Sequence, residues 1–70
     1  MPMPMRIRLN GEPREFASPL SVRGLLEELG LDHARVAVEL NRRILKREEH
    51  AQVALDDGDE MEIVTFVGGG

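Results

Sequence analysis

Apolar and polar residues alternate strictly at the start of the regular part of the chain. Over residues 5–10, "MRIRLN", every second residue is apolar and its neighbours are charged or polar. This period of two predicts a half-buried β-strand. Asn10 and Gly11 follow, and this pair is a strong hairpin signal because both residue types tolerate a positive φ. With "REFA" (14–17) as the returning strand, the first predicted element is a β-hairpin.

The period then changes to that of a helix. In "SVRGLLEELG" (21–30), apolar residues recur at i, i+3, i+4 and i+7, which places them on one face of an α-helix. These residues are Val22, Leu25, Leu26 and Leu29. Ser21 can cap the start by accepting a backbone N–H bond, and Gly30 can take the left-handed conformation that closes the end. We therefore expect a helix over 22–29.

Three further strands are expected in the second half of the chain. "RVAVEL" (35–40) alternates, "ILK" (44–46) follows it after a turn, and the last strand covers 61–66. The connection "REEHAQVAL" has no clean period, so only a single helical turn is expected there, near 48–51. The predicted order is hairpin, helix, strand, short strand, irregular connection and strand.

One short helix cannot cover both faces of a five-stranded sheet, so we expect two layers with one open sheet face. The first and last strands should pair in parallel at the centre, because the segments between them allow a long crossover. This is an α+β fold of the β-grasp type, with a mixed four- to five-stranded sheet and one main helix. We expect a single domain over 1–70, with a loose extension at 1–4 and a flexible tail at 67–70. The expected core consists of Ile7, Leu9, Leu25, Leu26, Leu29, Val38, Leu40, Leu55, Met61 and Ile63.

Composition narrows the class of protein. The net charge of −4 and the presence of only two aromatic residues, Phe16 and Phe66, argue against a nucleic-acid partner. There is no cysteine, which removes disulfides and zinc–thiolate sites and fits a reducing compartment. No apolar run approaches the roughly 20 residues of a membrane span. We expect a cytoplasmic protein with no membrane or nucleic-acid partner.

The side chains show no constellation typical of an enzyme or a metal site. His33 and His50 are far apart in sequence and have no third ligand at a recognisable spacing, so we expect surface histidines. The acidic run 56–60, "DDGDE", lacks the loop length and closing glutamate of a calcium site and is typical of a turn. The basic residues within 42–47 are interpreted as a solvated hairpin face, with a docking patch for an acidic partner as the alternative.

The three glycines at 68–70 cannot be present to stabilise the fold, because glycine loses the most backbone freedom on ordering. They are either a frayed end or the working part. Residues 67–70 can extend about 13 Å beyond the last strand and could thread a channel too narrow for side chains. The Gly70 carboxylate is a poor electrophile until it is activated. Attack on the α-phosphorus of ATP would give an acyl adenylate, and a sulfur nucleophile would then leave a thiocarboxylate.

Over residues 5–70 the chain resembles the ThiS sulfur-carrier family of thiamine biosynthesis, a ubiquitin-like β-grasp family. The resemblance is carried by "RLNGEP", "SVRGLLEELG", "VAVELNRRILKREEHA" and above all "LDDGDEMEIVTFVGGG". It implies that a ThiF-like enzyme uses Mg-ATP to adenylate Gly70, and that sulfur from a cysteine desulfurase forms the thiocarboxylate. It also implies that the thiazole synthase ThiG accepts the sulfur.

In this resemblance Gly69 gives a narrow approach to the partner's active site and Gly68 extends the arm. The chain itself would bind no cofactor and would be a protein cosubstrate rather than an enzyme. One departure is His50, where many relatives have tryptophan, which leaves any partner contact made by that ring open.

The alternation of the last strand also predicts a partner surface. If Met61 and Ile63 face the helix, then Val64 and Phe66 point to the open sheet face beside the tail, where they form a candidate docking patch. The alternative is that Phe66 folds back onto the edge of the core.

Other functions are compatible with the same pattern. The sulfur acceptor could be molybdopterin, transfer RNA or a cysteine precursor, or the chain could be a ubiquitin-like modifier joined to lysines through Gly70. A non-catalytic β-grasp binding module is the alternative from a different class.

Overall fold

The computed structural model describes residues 3–66 and contains five strands, one α-helix and two short 3-10 helices. In chain order the elements are β1 (Pro4–Leu9), β2 (Glu12–Ala17), α1 (Val22–Glu28), a 3-10 helix (His33–Arg35), β3 (Val36–Leu40), β4 (Arg43–Leu45), a 3-10 helix (Arg47–Glu49) and β5 (Glu60–Thr65). The sheet order is β2-β1-β5-β3-β4. β1 and β5 are parallel and the other neighbours are antiparallel. The predicted β-grasp fold is confirmed.

The first hairpin turns as its sequence predicts. Asn10 and Gly11 have φ values of 49° and 85°, which is the left-handed region that this pair tolerates. The strand starts earlier than expected, at Pro4, and the carbonyl of Met3 accepts hydrogen bonds from the backbone N–H and the hydroxyl of Ser18. Pro4, which we had placed in a loose extension, therefore belongs to the sheet.

Helix α1 begins and ends where its caps predict. The Ser21 hydroxyl accepts a hydrogen bond from the Gly24 N–H at 3.0 Å. Gly30 adopts a φ of 73° just after the C-terminal end. Val22 and the two leucines at 25 and 26 are buried against the sheet, whereas Leu29 is the C-terminal cap and only partly buried.

The core lies between α1 and one face of the sheet. The buried apolar residues are Met5, Ile7, Leu9, Phe16, Val22, Leu25, Leu26, Val36, Val38, Leu40, Leu45, Leu55 and Met61. Of the expected core, Leu29 and Ile63 pack against this cluster but stay partly exposed. Five buried residues were not in the expected core: Met5, Phe16, Val22, Val36 and Leu45. Phe16 lies directly opposite Met5 in the β1–β2 register, and residues that face each other across an antiparallel pair share one side of the sheet.

Candidate functional site

The predicted tail follows the central strand of the sheet. Gly68, Gly69 and Gly70 lie outside the described residues, so the structure bears only on the strand that leads to them. β5 lies between β1 and β3, and just beyond its end the Phe66 N–H donates a 3.0 Å hydrogen bond to the carbonyl of Arg35. The chain is therefore tied to its neighbour up to the residue before Val67.

Val64 and Phe66 are exposed beside this end of the strand. Val64 lies opposite Ala37 on β3, and both belong to the sheet face that α1 does not cover. The exposed fractions of Val64 and Phe66 are 59% and 60%. The predicted exposure is confirmed, and Phe66 does not fold back onto the core. That this surface docks a partner stays a prediction.

A third apolar residue, which we did not predict from the sequence, lies on this face. Ile44 is 74% exposed and lies opposite Glu39, which in turn lies opposite Glu62 on β5. The signal was present in the alternation of β4, because Leu45 is buried and its neighbour must point the other way. We call Ile44, Val64 and Phe66 the open-face patch.

Acidic residues lie within the open-face patch. Glu39 and Glu62 lie across from each other between Ile44 and the end of β5. Arg43 alternates with Ile44 along β4 and therefore lies on the opposite face, where it makes a 3.6 Å ion pair with Glu49.

Comparison with known proteins identifies the family. The model of the ThiS family matches residues 7–70. The chain belongs to the ThiS family. The "Sulfur carrier protein ThiS" of Escherichia coli is 33% identical over 66 residues, which is 94% of the chain and 100% of that relative. The crystal structure of the thiamine biosynthesis protein ThiS from Geobacter metallireducens superposes with a TM-score of 0.79 at 39% identity, covering 94% of this chain and all of that one.

A second group of relatives is much longer than this chain. The thiazole synthase of Paramagnetospirillum magneticum is 50% identical over 66 residues, which is 94% of the chain but only 20% of that protein. The chain thus spans about a fifth of the length of this relative, and the same share of a thiazole synthase from Magnetococcus marinus. A ThiS-like segment therefore occurs within proteins that carry the name of the thiazole-forming enzyme.

The expectation of surface histidines is wrong for His50, whereas His33 is partly exposed. His50 is only 1% exposed, and its ring lies 6.1 Å from that of His33, centroid to centroid. The His50 carbonyl accepts a 2.8 Å hydrogen bond from the Arg23 N–H, which ties the irregular connection to the start of α1. His50 therefore occupies a core position in this fold.

Neither ring nitrogen of His50 has a hydrogen-bond partner among residues 3–66. Burial lowers the pKa of His50 below its ordinary value of 6.5, and the electrostatic influence of the neighbouring His33 and Arg47 lowers it further. Glu49 and Glu48 oppose this shift to a smaller extent. The neutral imidazole is the form that the fold accommodates.

The acidic run 56–60 forms a turn, as predicted. The Asp57 carboxylate accepts from the backbone N–H of Arg6 at 2.7 Å, and the Asp59 carboxylate accepts from that of Asp56 at 2.8 Å. One of these oxygens therefore accepts from the backbone of β1 and the other from the backbone of the turn itself. Within the described part of the chain, no three His, Cys, Asp or Glu side chains are placed to hold a metal ion. Nor does any helix there have the length and apolar character needed to cross a membrane.

Proposed function

We propose that the chain is a sulfur carrier of thiamine biosynthesis and that the carboxylate of Gly70 carries the sulfur. The observation that supports this most strongly is the match to the ThiS family across residues 7–70, which includes the three glycines. The fold supports it as well, because these glycines follow the central strand of a sheet that is tied down to Phe66. A rigid body thus precedes a segment without side chains.

The chemistry begins with activation of the carboxylate. A ThiF-like enzyme binds Mg-ATP, a Gly70 carboxylate oxygen attacks the α-phosphorus, and pyrophosphate leaves. The resulting mixed anhydride reacts with a sulfur nucleophile, derived from cysteine by a desulfurase, and AMP is the leaving group. The product is a thiocarboxylate on Gly70. The chain is the cosubstrate in these steps, and the adenylating enzyme uses the ATP and magnesium.

We expect the open-face patch to dock the adenylating enzyme. Residues 67–70 span at most about 13 Å, so an enzyme whose active site takes Gly70 must also approach Phe66 closely. Phe66 and Val64 present apolar side chains at that point, and the burial of exposed aromatic residues dominates many protein interfaces. Glu62 beside them would form part of a polar rim.

Variants of the patch test this docking role. Phe66→Ala and Val64→Asp should each raise the KM of the carrier for adenylation about tenfold, the effect of losing one interface anchor. Met3→Ala is the matched control, since Met3 is 72% exposed but precedes β1 at the opposite end of the sheet. Circular dichroism should show the native fold in all three variants. Normal adenylation of Phe66→Ala and Val64→Asp at limiting enzyme would show that the patch does not dock the adenylating enzyme.

The carrier role itself is tested by ATP–pyrophosphate exchange. A ThiF-like enzyme with Mg-ATP should exchange labelled pyrophosphate into ATP only when the chain is present. A chain extended by one alanine after Gly70 should support no exchange, because Gly70 then carries a peptide bond in place of its carboxylate. Exchange that is unchanged by the extension would contradict the proposal. A binding module, in contrast, would keep its partner after the extension.

Thiazole synthase is the acceptor that the comparisons support. Two proteins with that name contain a stretch 50% and 41% identical to this chain. We therefore propose that ThiG receives the sulfur. Incubating the thiocarboxylate form with ThiG and its other substrates should yield the thiazole, whereas a molybdopterin or transfer-RNA carrier would give none.

A further inference from the structure

The two edges of β5 are paired to different lengths. On the β3 side, hydrogen bonds continue to Phe66, whose N–H donates to Arg35. On the β1 side, the ladder of residue pairs ends at Leu9 and Met61, because β1 turns away at the Asn10–Gly11 hairpin. The last residues of β5 therefore have a neighbouring strand on one side only.

Asn10 extends the pairing on the β1 side by one step. Its backbone N–H donates to the carbonyl of Met61 at 2.9 Å. Its side-chain amide then accepts from the Ile63 N–H at 2.7 Å and donates to the Ile63 carbonyl at 3.3 Å. The side chain thus takes the place of the next strand residue, and both main-chain groups of Ile63 are satisfied.

Thr65 lies two residues further along β5 than Ile63, beyond the reach of the Asn10 side-chain bonds. The N–H and C=O groups of alternate residues point to the same edge of a strand, so those of Thr65 point to the β1 side, like those of Ile63. Within residues 3–66 neither group has a hydrogen-bond partner, and the residue is exposed. An open strand edge of this kind is a template for pairing with another chain.

We propose that an extended segment of the adenylating enzyme pairs with this free edge of β5 at Thr65, adding a strand to the sheet just before the tail. This inference rests on the proposed function. Its occupant is the enzyme that takes Gly70, because the four residues after Phe66 keep that enzyme next to Thr65. Main-chain pairing also suits the segment that follows, since glycines offer a partner no side chains to recognise.

The geometry limits where the added strand can lie. Toward the start of β5 it must stop at Asn10, whose side chain occupies the edge at Ile63. Val64 and Phe66 project from the open face next to the added strand, so one docking event covers both the edge and the open-face patch.

Amide hydrogen exchange measured by NMR is the direct test. In the free chain the Thr65 amide should exchange rapidly, and the Phe66 amide, which is bonded to Arg35, should exchange slowly. Adding a ThiF-like enzyme with Mg-ATP should slow Thr65 exchange at least tenfold. If Thr65 still exchanges rapidly in a complex that forms the adenylate, the edge is not paired and the inference fails. If no adenylate forms at all, the proposed function fails instead.

A pair of substitutions gives a second test. Thr65→Pro removes an N–H that has no partner in the free chain and puts a proline ring on the edge, whereas Thr65→Ala keeps the N–H. The proline variant should bind the adenylating enzyme about tenfold more weakly, as expected for losing one hydrogen bond, and the alanine variant should bind normally. Equal binding of two folded variants would overturn the inference.

Discussion

Replacing His50 by phenylalanine should stabilise the protein. The His50 side chain is buried, and both of its ring nitrogens lack partners among the described residues. A buried polar group left without a hydrogen bond costs about 1–3 kcal/mol. Phenylalanine keeps a flat ring of similar size and removes both groups. We therefore expect His50→Phe to raise the free energy of unfolding by about 1–2 kcal/mol. In a domain of this size, each kcal/mol of added stability raises Tm by about 4–8 °C.

The effect should also depend on pH, with a definite sign. The pKa of His50 is lowered in the fold by burial, followed by His33 and Arg47. As pH falls below the ordinary value of 6.5, the unfolded chain therefore takes up a proton that the folded chain does not. The contribution of neutral His50 is complete above that pH and is lost as the pH falls toward the folded-state pKa. The phenylalanine variant lacks this loss, so its advantage should grow between pH 7.5 and about pH 5.5.

Urea unfolding followed by circular dichroism is the suitable assay, because the chain has no tryptophan or tyrosine for fluorescence. His33→Gln is the control variant. It removes the neighbouring ring but leaves His50 buried, so it should keep most of the pH dependence. A His50→Phe variant that is less stable than the parent at pH 7.5, or whose advantage does not change with pH, would refute the reasoning.

Two further predictions concern local features of the fold. Ser21→Ala removes the acceptor for the Gly24 N–H and should lower the free energy of unfolding by about 1 kcal/mol in urea titrations. Ser21→Asp restores a cap and should recover most of this stability. No recovery would argue against the capping role of Ser21. Asn10→Gly keeps a residue that tolerates the positive φ but loses both side-chain hydrogen bonds to Ile63. It should cost about 1–2 kcal/mol in the same assay and accelerate exchange of the Ile63 amide; unchanged exchange would show that the side chain does not close the β5 edge.

Much of this fold could be predicted from the sequence because its elements are marked by local chemistry. Asn10 and Gly11 fix the first hairpin through their tolerance of positive φ, and Ser21 and Gly30 mark the ends of α1. The alternation along β5 placed Val64 and Phe66 on the open face correctly, because a strand's side chains must alternate whatever surrounds it.

His50 could not be predicted in the same way. It lies in a connection without a hydrophobic period, and its burial depends on long-range hydrogen bonds between that connection and the start of α1. Arg23 donates to His50, and Val22 donates to Val53. No pattern in the local sequence predicts these hydrogen bonds. Thr65 is a similar case, since its free edge follows from where β1 turns away rather than from the residue itself.

The central claim is that sulfur travels on the carboxylate of Gly70. Intact-mass spectrometry tests it most directly, after incubation of the chain with a ThiF-like enzyme, Mg-ATP, a cysteine desulfurase and cysteine. We expect a mass gain equal to the exchange of one oxygen for one sulfur, located at Gly70 by fragmentation and absent when Gly70 is deleted. An unchanged mass in a reaction where a known ThiS protein is converted, or sulfur found elsewhere on the chain, would contradict it.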